Sequence, residues 1–272
     1  MKNDSKYFSM IGAIGGHQRI LLHGNPGTHE GRSRGGKNAV RVHNLKKNSA
    51  FIKARVIKPL RKNTALAEFM GILFGDGHVG KYQTVISLDS QTDKEYAKYI
   101  CDLIQKYFKI KVNIRKRKDA RAVDIYISSV SFCNLMVQYG MISGNKIKGD
   151  FRIPHWINKS KTYQTWFLRG LFDTDGSIYQ DFRIIKERRY HGVGLLWSSA
   201  SESLRKDILR LLSDRNMGPT GGKGKHRSIY LRKKANIIKY FKEIGTSNPK
   251  HSERYNRFIG EVAHLSINTR KN

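Results

Sequence analysis

Two short stretches hold the residues best suited to chemistry. Gly71-Ile72-Leu73-Phe74-Gly75-Asp76-Gly77 and Gly170-Leu171-Phe172-Asp173-Thr174-Asp175-Gly176 each set an aspartate beside the glycine that closes an apolar helical run. Glycine there is the usual left-handed helix stop. An aspartate in the last turn is unfavourable, because the negative end of the helix dipole repels it. Each helix also has small residues four apart, Gly71 and Gly75 in one, Gly170 and Thr174 in the other. That spacing makes a flat face on which two helices touch backbone to backbone. Packed in parallel on these faces, they bring Asp76 and Asp175 together, and two near carboxylates repel unless a cation joins them. A hard divalent ion, oxygen-ligated and shared with a phosphate, answers that need.

The elements that must position these aspartates occur twice. From residue 63 onward each motif helix is followed by alternating segments that read as a hairpin, then by a helix opened with a capping box, Thr92-x-x-Glu95 or Ser199-x-x-Glu202. The spacing predicts that these helices bury Tyr96, Ile100, Leu103 and Tyr107 in one copy, and Leu204, Ile208 and Leu211 in the other. A second hairpin follows, with Ile125-Tyr126-Ile127 matching Ile229-Tyr230-Leu231, and then a short helix ending at Gly140 or Gly245. Lys146 and Lys250 come next, in what read as equivalent loops. The aspartates stand 99 residues apart and the second hairpins 104, the drift of a duplicated unit with loop insertions.

Composition narrows the partner. Against 21 Asp and Glu stand 52 Lys and Arg, a formal net charge of +31 that gathers a polyanion, most commonly nucleic acid. No apolar run approaches bilayer length, so no membrane is expected. Met1–Met10 has no signal-peptide pattern, which points to the cytoplasm of a prokaryote, near the nucleoid, with an organelle matrix as the alternative. Cys101 and Cys133 stand in no metal or redox spacing and read as buried thiols. Residues 1–62 contain 14 Lys and Arg against 2 Asp and Glu, and His23–Lys37 has the composition of turns and loops. That stretch reads as a basic arm that orders on nucleic acid, or as a solvated extension. His17, His23 and His29 recur every six residues, which is no ligand spacing.

Phe69–Gly77 and Leu168–Gly176 resemble the two signature helices of the LAGLIDADG homing endonucleases, in the single-chain type with two motifs. The similarity runs over roughly residues 60–260 and takes in Pro154-His155-Trp156-Ile157 before the second motif. Phe74 departs from the signature where the family often has Asp; Asp173 holds that place in the second copy. The resemblance implies an α+β fold of two pseudo-symmetric αββαββα halves, residues 63–158 and 159–272, whose saddle-shaped antiparallel sheets lie in the major groove behind the basic extension. It implies cleavage of both DNA strands across the minor groove, leaving short 3′ overhangs. It makes Asp76 and Asp175 metal ligands with the backbone carbonyls of Gly75 and Thr174, and it places Lys146 and Lys250 near the scissile phosphates. Mg²⁺ is the expected ion, with Mn²⁺ or Ca²⁺ able to take the site.

Strand alternation then sorts a reading surface. In 111–118, Val112 and Ile114 are expected inward, while Lys111, Asn113, Arg115 and Arg117 share the other face; Lys81 and Gln83 lie opposite Ile86 and Leu88. The second half offers Tyr179 and Arg183, then Lys223, Lys225 and Arg227 around a glycine-rich turn. Arg reads guanine and Gln or Asn adenine in a major groove. The expectation is a site-specific endonuclease, encoded in an intron, acting as a monomer on double-stranded DNA with a long asymmetric target. An intein origin is not expected, since the chain begins with Met1 and lacks a terminal His-Asn pair. An intron RNA maturase and a non-cleaving DNA-binding regulator are the alternatives on the same fold.

Overall fold

The computed structural model describes residues 5–25, 27–46, 57, 59–118, 120–146, 151–185, 187–221 and 227–268, with only the backbone at 181–185, 188–191 and 260–268. The chain divides into two units, Met1–Arg55 and Val56–Asn272. The boundary lies earlier than the expected residue 62, because Ile57 and Leu60 pack on the larger unit's core and the Leu60 amide donates to Tyr139 Oη at 2.8 Å.

In the smaller unit, α1 (Ser5–His23) and α2 (His29–Leu45) replace the loop expected over 23–37. Two local signals confine the break to a few residues. Gly24, at φ +75°, closes α1 with its amide on the Ile20 carbonyl at 2.7 Å. Thr28 then caps α2 by accepting from the Gly31 amide at 3.0 Å. Composition weighed the glycines of 31–36 above these caps, and the caps prevail.

The larger unit repeats one topology. Helix α3 (Thr64–Phe74) leads to β1 (Gly77–Val79), β2 (Gln83–Asp89), α4 (Lys94–Phe108), β3 (Asn113–Lys116), β4 (Ala122–Ser128) and α5 (Val130–Gln138). After α6 (His155–Asn158), helix α7 (Lys161–Asp175) leads to β5 (Gly176–Ile185), β6 (Arg188–Ser198), α8 (Glu202–Ser213), β7 (Thr220–Gly221), β8 (Ser228–Leu231) and α9 (Lys234–Glu243). A further helix, α10 (Pro249–Asn268), follows. The antiparallel sheets have matching orders, β1-β2-β4-β3 and β5-β6-β8-β7, so both halves are αββαββα. The α5 and α9 segments both stop at glycines in positive φ, Gly140 (+108°) and Gly245 (+72°).

Several details depart from the sequence reading: α3 and α7 end at Gly75 (φ −77°) and Gly176 (φ −89°), not at left-handed glycines. The N-caps are Asp93 and Ser201, not Thr92 and Ser199, and Ser201 accepts from the Leu204 amide at 3.2 Å. Helix α4 buries Tyr96, Ile100, Ile104 and Phe108, which leaves Leu103 and Tyr107 half-buried on its flank. Ile114 is 59% exposed, because β3 is an edge strand exposed along its whole length. Cys133 is buried as expected and Cys101 only partly, both as free thiols.

Candidate active site and nucleic-acid interface

Helices α3 and α7 meet on their small residues. A Cβ on Gly71 would lie 2.2 Å from the Phe167 carbonyl oxygen, and one on Gly170 2.2 Å from that of Glu68. At the helix ends a Cβ on Gly75 would stand 2.0 Å from Thr174 Oγ1 and 3.3 Å from Asp175 Cγ. Both helices therefore finish at one point, and Asp76 and Asp175 share it. Burial first and the Asp76 charge second raise the Asp175 carboxyl to about 7, with Lys146 opposing. Asp76 is raised to about 6 by burial first and the charge of Asp93 second, with Lys146 and Lys250 opposing. The costly arrangement read from the motifs is present.

A lysine from each half acts on the aspartates, Lys146 on both and Lys250 on Asp76. Lys146 feels Asp175 more strongly than Asp76, and burial pulls its ammonium below the ordinary lysine range. Its Nζ donates to the carbonyls at the end of α3, Leu73 (3.2 Å), Phe74 (3.1 Å) and Gly75 (2.6 Å). With Asp175, Gly75, Ser199 and Ser201 it lines a cleft of about 160 Å³. Lys250 lies not in a loop but in the first turn of α10, and its Nζ meets Asp93 Oδ1 at 2.6 Å.

The residues present fit a hard divalent ion. Their donors are all oxygen: two carboxylates whose like charges meet, and the backbone carbonyls at the two helix ends. An ammonium already rests on the Gly75 carbonyl, so that end of α3 favours positive charge. The Thr174 hydroxyl is spent on the Gly170 and Leu171 carbonyls, both at 3.1 Å, and the oxygen that residue offers is its own carbonyl. Among the described residues no three His, Cys, Asp or Glu side chains cluster as a metal cage, so such an ion would complete its shell from carbonyls, water and substrate phosphate.

The helix pair breaks its own symmetry beside this point. Glu68 and Asp173 face one another in one flank, while the equivalent residues of the other flank are Phe167 and Phe74. Phe74 packs edge-on to Phe167 with centroids 5.1 Å apart and stacks on Phe151 at 4.1 Å. Asp173 accepts from Thr246 Oγ1 and from the Ser247 amide (2.8 Å); Glu68 accepts from Ser247 Oγ (2.5 Å) and Tyr99 Oη (2.8 Å). Phe74 thus departs from the signature because its flank is an aromatic contact and the opposite flank is polar.

The first sheet turns Gln83, Ser87, Asn113, Arg115, Asp124 and Tyr126 to one face, Thr84, Ile86, Leu88, Ile125 and Ile127 to the other. Asp124, 1% exposed, holds Arg115 at 3.2 Å and Arg117 at 2.7 Å, and the arginine bonds pull its carboxyl down to about 2. Both guanidinium groups are aimed by one buried carboxylate, a residue the charge pattern did not reveal. Lys81 lies over Tyr82 at 5.1 Å in the β1–β2 turn, and Lys111 is exposed ahead of β3. On the second sheet the Tyr179 ring crosses Gly194, where a Cβ would stand 2.2 Å from its Cζ, and it meets Tyr230 edge-on at 6.3 Å. Arg227 is exposed, with its carbonyl accepting from the Ser199 amide at 3.1 Å beside the Asp175 cleft. Arg183 is described by backbone alone, in β5; Lys223 and Lys225 lie outside the described residues.

Residues 162–245 match the family described as LAGLIDADG-like domain. The chain is 27% identical over 244 residues to a tRNA-splicing ligase RtcB of Methanopyrus kandleri, covering 79% of this chain and 22% of that protein. It is 32% identical over 151 residues to a replication factor C small subunit of Methanocaldococcus jannaschii, covering 55% of this chain and 7% of that one. The chain thus spans about a fifth or less of these relatives. Among solved structures, I-SmaMI bound to uncleaved DNA in the presence of calcium ions superimposes with a TM-score of 0.53 at 11% identity, over 77% of this chain and 93% of that one. The LAGLIDADG meganuclease I-AabMI bound to uncleaved DNA gives 0.52 at 12% identity, over 76% and 93%. Residues 162–245 thus match a LAGLIDADG-like domain, and with two copies of the αββαββα unit joined through paired Asp-Gly helices the chain has the fold of the solved single-chain meganucleases.

Proposed function

We propose that the chain is a site-specific endonuclease that cuts both strands of DNA with Mg²⁺, across the minor groove and leaving short 3′ overhangs. The observation that carries this is the meeting of Asp76 and Asp175 at the ends of α3 and α7, with Lys146 and Lys250 acting on them, in a fold whose first sheet exposes a polar and basic face. Asp76, Asp175 and the carbonyls of Gly75 and Thr174 would hold the metal. When bound, it polarises the phosphodiester and lowers the pKa of attacking water. Lys146 and Lys250 steady charge beside the phosphates, and Arg115, Arg117, Asn113 and Gln83 contact bases or backbone along the groove.

The relatives' names support a module passed between genes. Stretches like this chain occupy minor parts of proteins with two unrelated activities, so the stretch is not what either name describes. An intron as the coding context is our reading, and sequencing of the gene's flanks tests it. Selection of a target from a randomised duplex library, followed by cleavage with and without Mg²⁺, tests the activity. Double-strand cuts only with the metal support the reading; binding without cutting at any divalent ion would assign the chain to regulation instead.

A further inference from the structure

The duplication allows the two sites to be compared residue by residue. Tyr96, Ile100 and Ile104 on α4 match Leu204, Ile208 and Leu212 on α8, each pair 108 residues apart, and the same step carries Asp93 to Ser201. Asp175, Lys146 and Ser201 line one cleft; Asp76 feels Asp93 as well as both lysines, Lys146 more than Lys250, and Lys250 is the lysine that Asp93 holds. The cleft holds one carboxylate with its lysine. The Asp76 side holds two.

Asp93 is buried, and its Oδ1 takes two donors. It accepts from Lys250 Nζ at 2.6 Å and from Asn248 Nδ2 at 2.9 Å, and Asn248 also donates to the Asp173 carbonyl at 3.1 Å. The Lys250 amide in turn donates to Asn248 Oδ1 at 3.1 Å. Ser201 has no charge; its hydroxyl donates to the Phe151 carbonyl at 2.7 Å and caps α8. Lys146 rests instead on neutral carbonyls, so its positive charge is not cancelled by a paired carboxylate at contact.

Building on the endonuclease reading, we propose that Asp93 is a positioning residue that draws Lys250 away from the phosphate and makes the two strands break in order, the strand at Asp175 and Lys146 first. Phosphodiester cleavage builds negative charge on the phosphate oxygens, which an available ammonium stabilises. In the Asp76 site that ammonium is held by a carboxylate, and the added negative charge repels the phosphate.

The test uses the full chain and the duplex recovered by the library selection, each strand labelled separately, with Mg²⁺ in excess. The nick at the Asp175 side should form about tenfold faster than the other, the scale of one charge interaction in a partly buried site. Asp93→Asn should speed the slow strand and bring the ratio within about twofold. Damage to the fold would instead slow both strands together, so the ratio separates positioning from structure. Ser201→Asp is the reciprocal variant: it should slow the Asp175 strand and narrow or invert the ratio. Equal strand rates in the parent, or a slow strand that becomes slower still in Asp93→Asn, would overturn the proposal while leaving endonuclease activity intact. No cleavage of either strand by the parent would sink the endonuclease reading itself.

Discussion

Asparagine keeps the shape of aspartate and removes its charge, so Asp76→Asn and Asp175→Asn isolate the metal chemistry from the fold. Each should bind the selected duplex as the parent does and cut it about a hundredfold more slowly or worse. Double-strand cutting at the parent's rate by Asp175→Asn would remove that residue from the mechanism. A second residue links folding to pH. His251 is 1% exposed against Phe172, and burial first, then the charges of Lys250 and Arg254, push it down to about 3 against the pull of Asp93 and the Asp173 backbone. Because its folded value lies below the ordinary 6.5, its contribution is fully present above pH 6.5 and drains as pH falls toward 3, by up to about 1.4 kcal/mol per pH unit. Buried Asp173, raised to about 7, acts in the opposite sense, stabilising the fold below the ordinary carboxylate range and losing that effect as pH rises toward 7. The comparison that isolates the histidine is His251→Leu against the parent by denaturant midpoint. Relative to its own value at pH 7, the variant should lose less stability between pH 6.5 and 4; parallel curves would show that the ring does not titrate on unfolding.

At the scale of elements, the α3–α7 contact leaves no room for a side chain at its glycines. A methyl at Gly71 or Gly170 meets backbone rather than a mobile side chain, so Gly71→Ala and Gly170→Ala should each cost about 1–3 kcal/mol in denaturant unfolding. A loss below about 0.3 kcal/mol would mean that the helices separate readily, and with them the aspartates. This contact was legible in the sequence because small residues four apart state a distance of approach directly, and the duplication supplied the αββαββα elements around it, though not α10. Other parts were hidden for physical reasons. Asp93 sits one residue from a plausible capping box, and its charge is spent on Lys250 and Asn248 across the halves, which no local pattern records. Asp124 looks like an ordinary strand residue until β3 pairs with β4 and sets Arg115 directly opposite it. Ile114 obeys strand alternation, but alternation gives the face and not whether anything covers it.

For the whole molecule, the sequence's charge bears on how the chain finds and holds its duplex. Both halves of the fold lie in one chain, so we propose one protein per duplex; two chains per site by native mass measurement would refute that. Residues 1–55 form their own unit and hold 11 Lys and Arg against 2 Asp and Glu. In the described part of that unit, Gly31 is the single buried residue of α2 and α1 has none, so the charges there stand in water, available to phosphates. We propose that the unit extends the backbone contact of the larger one and adds affinity rather than choice of sequence. Neutralised phosphates release counterions, so a chain beginning at Val56 should show a salt dependence flatter by about 0.9 in log–log slope for every phosphate it no longer neutralises. The selected site should stay the same, since backbone contacts carry no sequence information directly. Cutting at low salt should persist, because Asp76, Asp175, Lys146 and Lys250 all remain. Affinity measured against salt for both chains, with site selection repeated on the shorter one, decides the matter. An unchanged slope would make the first unit a bystander on DNA, and a shifted site preference would make it a reader of bases.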